Sequence, residues 1–84
     1  MAKSSRVLNQ AILKVVDNQI RDLTPPATRE TFDRLVREGV TEDEARRLIA
    51  RVVASEIFDV LKHERPYDEE RYLKALKKLP ELPE

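Results

Sequence analysis

The sequence predicts an all-α fold: a compact domain of four helices with the third helix at the centre. Three features predict it. Apolar residues recur at the spacing that places them on one face of a helix. The chain has one Gly and is rich in Arg, Glu, Leu and Val, which favours helix over sheet. Breaks at Thr24–Pro26, Glu38–Thr41 and His63–Asp68 divide the periodic pattern into four segments.

The first helix is predicted to begin at Ser4 or Ser5, either of which can act as the N-cap, and to run to about Asp22. The prolines of Thr24–Pro26 end it, because proline disfavours helical geometry in the residue before it. The predicted buried face contains five apolar residues: Leu8, Ile12, Val15, Val16 and Leu23. The polar Gln19 falls along the middle of this face.

The same prolines start the second helix. Thr24 is its predicted N-cap, with Pro25 at the first helical position, and Thr28 is an alternative, later cap. Its apolar face is short and consists of Phe32, Leu35 and Val36. Gly39 is predicted to follow its last turn, where the backbone needs a left-handed residue.

Thr41 and Glu44 form a capping box at the start of the third helix, which is predicted from Glu42 to about His63. One face carries the apolar residues Ala45, Ile49, Val52, Val53 and Val60. Further apolar residues extend around the cylinder, namely Leu48, Ile57, Phe58 and Leu61. This wide apolar surface predicts contacts on more than one side, hence the central position. Glu56 falls near the centre of the apolar face.

The fourth helix is predicted from Glu69 to Leu79, capped by Asp68 and ended by Pro80. Its apolar face consists of Tyr72, Leu73, Leu76 and Leu79. Tyr67, just before the cap, can pack on Tyr72 as a hydrophobic staple. The whole of 1–84 is predicted to be a single domain, with 1–4 and 80–84 loose.

Gln19 and Glu56 form a predicted polar core, because both lie on faces that point into the protein. Burying either group without a hydrogen-bonding partner costs several kcal/mol. We therefore predict that the Gln19 amide donates to the Glu56 carboxylate, with a Tyr hydroxyl, an Arg or a backbone amide at a helix start completing the set. Such a contact fixes how the helices pair; the alternative is that Glu56 works as a catalytic acid.

Several short runs along the chain resemble a small uncharacterised bacterial all-helical family, a domain of unknown function. The runs are Asp17-Asn18-Gln19, Pro25-Pro26, Arg29-Glu30-Thr31, Gly39, Glu44-Ala45, Glu56-Ile57, Pro66-Tyr67-Asp68 and Arg71-Tyr72. The resemblance covers most of the chain from about residue 8 and implies a helical fold and a bacterial source, but no activity. Members of that family often carry histidines where this chain has Asn9, Leu13, Asp43 and Arg47. The resemblance therefore implies no metal site here.

Composition excludes several classes of function. Lys plus Arg equal Asp plus Glu at 16 each, so nothing marks a dedicated nucleic-acid or membrane surface. The absence of Cys excludes disulfides and thiolate metal sites. No apolar run approaches the roughly 18 residues of a membrane span, and no signal-peptide core is present, so we predict a cytoplasmic protein. No nucleophile with a base and no phosphate loop is found, so we expect no catalytic residue, no cofactor and no enzyme.

The favoured function is a non-enzymatic interaction or regulatory module that binds a protein partner or a second copy of itself. One alternative is a DNA-associated regulator, a helix-turn-helix-like pair with contacts from Arg46, Arg47 and Arg51. The acidic run Glu42–Glu44 at the start of the same helix argues against it, since phosphates would repel these side chains. Another alternative is a small-ligand or metal binder around Glu56, Asp59 and His63.

Overall fold

The structure is a computed structural model that describes residues 2–23 and 25–82. It contains four α-helices: α1 (Ala2–Asp22), α2 (Pro26–Arg37), α3 (Glu42–His63) and α4 (Glu69–Lys78). The described residues contain no strand, so the predicted all-α four-helix fold is confirmed. The bounds of α3 are those predicted, and α4 ends one residue earlier than predicted.

The starts of the first two helices differ from the prediction. Helix α1 begins at Ala2, so Ser4 and Ser5 lie inside the helix and the N-cap prediction is wrong. Serine costs only a few tenths of a kcal/mol relative to alanine within a helix, so the helix continues through both residues. Helix α2 begins at Pro26 with Pro25 as its N-cap. The predicted cap, Thr24, lies outside the described residues.

The end of α2 is the predicted glycine turn. Gly39 has a φ of 96°, a left-handed value that costs glycine little. The Gly39 N–H donates to the Val36 carbonyl at 3.1 Å and the Val40 N–H donates to the Leu35 carbonyl at 3.0 Å. These two bonds make up a Schellman motif, which satisfies carbonyls that the last turn leaves without helical partners.

Both predicted side-chain caps of the later helices are present. The Thr41 Oγ1 accepts a hydrogen bond from the Glu44 backbone N–H at 3.2 Å. Asp68 Oδ1 accepts one from the Arg71 N–H, also at 3.2 Å. Each cap satisfies a backbone donor that the first turn of a helix cannot. The reciprocal bond of the capping box, from the Thr41 backbone N–H to the Glu44 carboxylate, stays a prediction.

Side chains from all four helices meet in one apolar core. Its buried members are Ile12, Val16, Leu35, Ala45, Leu48, Ile49, Val52, Val53, Tyr72, Leu76 and Leu79. Helix α3 contacts each of the other three helices, and so does α2. Leu82, in a segment predicted to be loose, packs against this core.

The buried faces of α1 and α2 are narrower than predicted. In α1, Ile12 and Val16 are buried, and Ile20 packs beside them. The other members of the predicted face are exposed: Leu8, Val15 and Leu23. Burial thus follows a four-residue spacing along one line of the helix, and side chains on either side of that line stay in solvent.

In α2 two threonines occupy buried positions that the apolar pattern did not indicate. Thr28 and Thr31 are buried together with Leu35, whereas Val36 is exposed. Thr28 is a hydrogen-bonding core residue inside the helix and not its cap. Its hydroxyl finds side-chain partners on two other helices, which is what allows a polar group to be buried here.

Arg34 of α2 closes the C-terminal end of α4. Its Nη1 donates to the Leu79 carbonyl at 2.9 Å, and its Nη2 donates to the Leu76 carbonyl at 3.0 Å. The last carbonyls of a helix have no N–H partner within the helix, and they carry partial negative charge. A guanidinium supplies both the hydrogen-bond donors and a positive charge.

Candidate functional site

Glu56 is buried, as predicted, but its partner is an arginine of α4. The residue is only 7% exposed. Arg71 donates from Nε to Oε1 at 2.8 Å and from Nη2 to Oε2 at 2.9 Å, which makes a bidentate ion pair. An arginine is one of the partner types predicted for the polar core, whereas the predicted direct bond between Gln19 and Glu56 is not among the hydrogen bonds of the described residues. A guanidinium brings a matching charge as well as two donors, whereas an amide brings no charge, so the arginine compensates a buried carboxylate better.

Gln19 belongs to a second polar cluster, which joins three helices. Its Oε1 accepts hydrogen bonds from the Thr28 hydroxyl at 2.9 Å and from the Tyr72 hydroxyl at 3.0 Å. The two hydroxyl oxygens lie 3.2 Å apart. Each hydroxyl has one hydrogen, so two hydrogens are shared among three contacts. A tyrosine hydroxyl is one of the partner types predicted for the polar core.

Arg71 also connects Glu56 to the surface of α3. Its Nη2 lies 2.8 Å from Asp59 Oδ2. Hydrogen bonding to Glu56, followed by the charges of Glu56 and Asp59, raises the pKa of Arg71 above its ordinary value, although desolvation opposes this. The guanidinium therefore stays charged. Burial likewise raises the pKa of the Tyr72 phenol, so this hydroxyl keeps its hydrogen over the neutral range.

The three residues of the predicted metal alternative are engaged with other side chains. Glu56 is paired with Arg71, and Asp59 lies 3.1 Å from Nη2 of Arg65. His63 Nε2 is 3.5 Å from Asp59 Oδ1. In the part of the chain that the structure describes, no three His, Asp or Glu side chains are grouped to hold a metal ion. The structure does not bring this set together as a metal site.

The three arginines of the DNA alternative do not form one free cationic surface. Arg46 donates to both carboxylate oxygens of Asp17, at 2.6 and 2.8 Å. Arg47 lies 3.2 Å from Asp43, one helical turn away. Two of the three charges are therefore matched by acids, while Arg51 lies along the groove between α1 and α3. An arginine that is already paired with an acid neutralises phosphates less effectively. It therefore displaces fewer counterions from the nucleic acid and contributes less to binding.

An apolar cavity of about 320 Å³ adjoins both polar clusters. It is lined by Gln19, Val53, Glu56, Ile57, Val60, Leu61, Tyr67 and Tyr72. The predicted staple forms one wall: the rings of Tyr67 and Tyr72 are 6.1 Å apart between centroids and tilted by 54°. Gln19 and Glu56 are the polar members of an otherwise largely carbon lining.

A second apolar feature lies on the outside of the same half of α3. Phe58 is 63% exposed, Leu61 74% and Ile57 43%. Across a groove from them lies Leu8 of α1, which is 57% exposed. These four residues are called the α3 apolar surface below. The sequence pattern missed it, because it assigned Ile57, Phe58 and Leu61 to contacts with the other helices.

Comparison of the chain with protein-family models, with curated proteins and with solved structures finds no match. The resemblance to a bacterial family of unknown function therefore stays a prediction. None of the helices in the described residues is both long and apolar enough to cross a membrane.

Proposed function

We propose that the protein is a non-enzymatic interaction module that pairs with a second copy of itself through the α3 apolar surface. The observation that carries the proposal is the exposure of Phe58 and Leu61 side by side in a protein of this size. Large apolar side chains that adjoin one another at a surface mark an interaction site more often than isolated ones do.

The spacing of the two most exposed residues suits a twofold contact. Phe58 and Leu61 are three residues apart, so they lie one above the other on the same face of α3. When two α3 helices pack antiparallel, Phe58 of each copy meets Leu61 of the other. This reciprocity is what a twofold dimer interface requires.

The contacts of the polar side chains support a role without catalysis. Glu56 is paired with Arg71, and the Tyr72 hydroxyl is bonded within the Gln19 cluster. Groups that are satisfied by one another in this way hold helices together; a working acid or nucleophile needs access to a substrate.

Sedimentation velocity over about a hundredfold range of protein concentration tests the proposal. We expect the sedimentation coefficient of the unaltered chain to rise toward that of a dimer. Phe58→Glu places a charge in the interface and should give a monomer throughout. Val36→Glu is the matched control, since Val36 is an exposed apolar residue on α2, and it should associate normally. A monomer at every concentration, or equal behaviour of the two variants, would contradict the proposal.

A further inference from the structure

We infer that the cavity between α3 and the two tyrosines is a binding site for a neutral bicyclic aromatic molecule that carries one hydrogen-bond donor, a hydroxyl or a ring N–H. This inference goes beyond self-association, which is proposed for the neighbouring α3 apolar surface; Ile57 and Leu61 belong to both features. It rests on the size of the cavity, on its aromatic wall and on the bonding state of its polar groups.

The size of the cavity fits two fused rings. A dry cavity of about 150 Å³ accommodates one benzene molecule. The volume here, about 320 Å³, is roughly twice as large and lies at the lower end of the range for small-molecule pockets. A single ring would leave half of the space without contacts, and a larger ligand would extend into solvent.

The walls favour an aromatic occupant. Tyr67 and Tyr72 present two tilted rings in contact with each other, and a ligand ring placed against this pair can make the tilted or offset contacts that aromatic groups prefer. Val53 and Val60 of α3 add aliphatic side chains to the lining. Tyr67 is 55% exposed, so a ligand would cover apolar area that is now in water.

The polar lining selects a neutral donor. Arg71 directs two of its N–H groups, Nε and Nη2, at the Glu56 carboxylate, whose two oxygens have about four acceptor positions. The carboxylate therefore retains acceptor capacity for a donor from the ligand. The Glu56 charge is already matched by Arg71, so neither a cation nor an anion gains a partner there, and burying an unpaired ligand charge in an apolar cavity is costly. A hydroxyl or ring N–H meets these conditions.

The cavity and the α3 apolar surface share Ile57 and Leu61, but each also has a residue that the other lacks. Val60 lines the cavity and not the outer groove, whereas Phe58 lines the groove and not the cavity. A variant at Val60 therefore tests ligand binding, and a variant at Phe58 tests self-association. Failure of one proposal leaves the other measurable.

The probe is 2-naphthol, whose fluorescence is followed while the protein is titrated into it. We expect saturable binding, and about tenfold weaker binding of 2-methoxynaphthalene, which keeps the rings but lacks the donor. The anion 2-naphthoate should bind at least as weakly as the methoxy compound. Equal affinity for all three compounds, or preference for the anion, would overturn the inference.

Three variants locate the site. Val60→Phe fills the cavity and should weaken 2-naphthol binding at least tenfold, whereas Val36→Phe, on α2, should leave it unchanged. Phe58→Glu should also bind normally. Amide chemical shifts of the unaltered protein provide a check that does not depend on how Val60→Phe folds: 2-naphthol should perturb residues 53–61 and 67–72. Perturbations centred on Leu8 and Leu82, in the outer groove, would refute the assignment.

Discussion

The two halves of α3 have similar apolar content but opposite surroundings. In the first half, the apolar residues of 45–53 are buried or half-buried, and Ile49 and Val52 are completely inaccessible. In the second half, Ile57, Phe58 and Leu61 are all exposed. Apolar composition along one helix therefore does not distinguish the part that forms the core from the part that remains open to a partner.

The lengths of the helices explain the difference. Helix α3 has 22 residues and spans about 33 Å, whereas α4 has 10 residues and spans about 15 Å. Helix α2, with 12 residues, reaches about 18 Å. Neither short helix can cover the whole of α3, and α1, although it has 21 residues, leaves an open groove beside Ile57, Phe58 and Leu61. The packed half gives the fold its stability, and the uncovered half carries the cavity and the α3 apolar surface.

Truncation in the packed half should have the largest effect. Ile49→Ala removes a side chain with no exposed area and leaves a cavity that its rigid neighbours fill only in part. We expect the free energy of unfolding to fall by about 3 to 4 kcal/mol. Urea unfolding followed by circular dichroism measures it. Ile57→Ala, the same change on the exposed half, is the matched control and should cost less than about 1 kcal/mol. Equal losses would refute the comparison.

Sequence reasoning succeeded for features that depend on neighbouring residues. The Thr41 cap, the Gly39 turn and the Asp68 cap are each set by a few adjacent positions, and all three are present. Exposure of Phe58 and Leu61 depends instead on how far other helices extend, which no local pattern contains. Periodicity also placed Glu56 in the interior correctly, because one apolar face determines that position.

The partner of Glu56 could not be read from periodicity, since Arg71 comes from a helix 15 residues further along the chain. One signal was available. Helix α4 contains a single arginine, next to the buried Tyr72 at the edge of the apolar face. A buried carboxylate needs a positively charged hydrogen-bond donor. Arg71 is the residue of α4 whose planar guanidinium can bind a carboxylate through two hydrogen bonds.

Glu56→Ala should have the second largest effect, because it acts where the two halves of α3 meet. The change removes the acceptor of Arg71 and leaves an apolar gap beside the cavity. We expect a loss of about 2 kcal/mol in the free energy of unfolding. Asp17→Ala removes a similar bidentate pair with Arg46 on the surface. It should lower the free energy of unfolding by at most about 1 kcal/mol. A smaller loss for Glu56→Ala than for Asp17→Ala would mean that burial does not strengthen the pair.

Thr41→Ala tests the start of the packed half and should cost about 1 kcal/mol, because the Glu44 N–H loses its acceptor. Thr41→Ser keeps a hydroxyl at this position and should be close to neutral. Thermal unfolding of the three proteins in parallel measures both changes. If the alanine and serine variants melt at the same temperature, the cap does not contribute to stability.

Phe58→Ala should have the smallest effect on the folded monomer, and it gives the sharpest test of the exposed half. The ring contacts Lys62, whose ammonium lies 5.6 Å from its centroid, but 63% of the residue remains in water. Little apolar area returns to solvent when the ring is removed, so we expect the free energy of unfolding to change by less than about 0.5 kcal/mol. This value holds at low protein concentration, where monomers dominate. At high concentration the unaltered chain should gain stability from dimer formation, and Phe58→Ala should not. Unfolding measured at both ends of the concentration range therefore separates the two roles of α3. A loss above 2 kcal/mol at low concentration would show that Phe58 belongs to the core of the monomer.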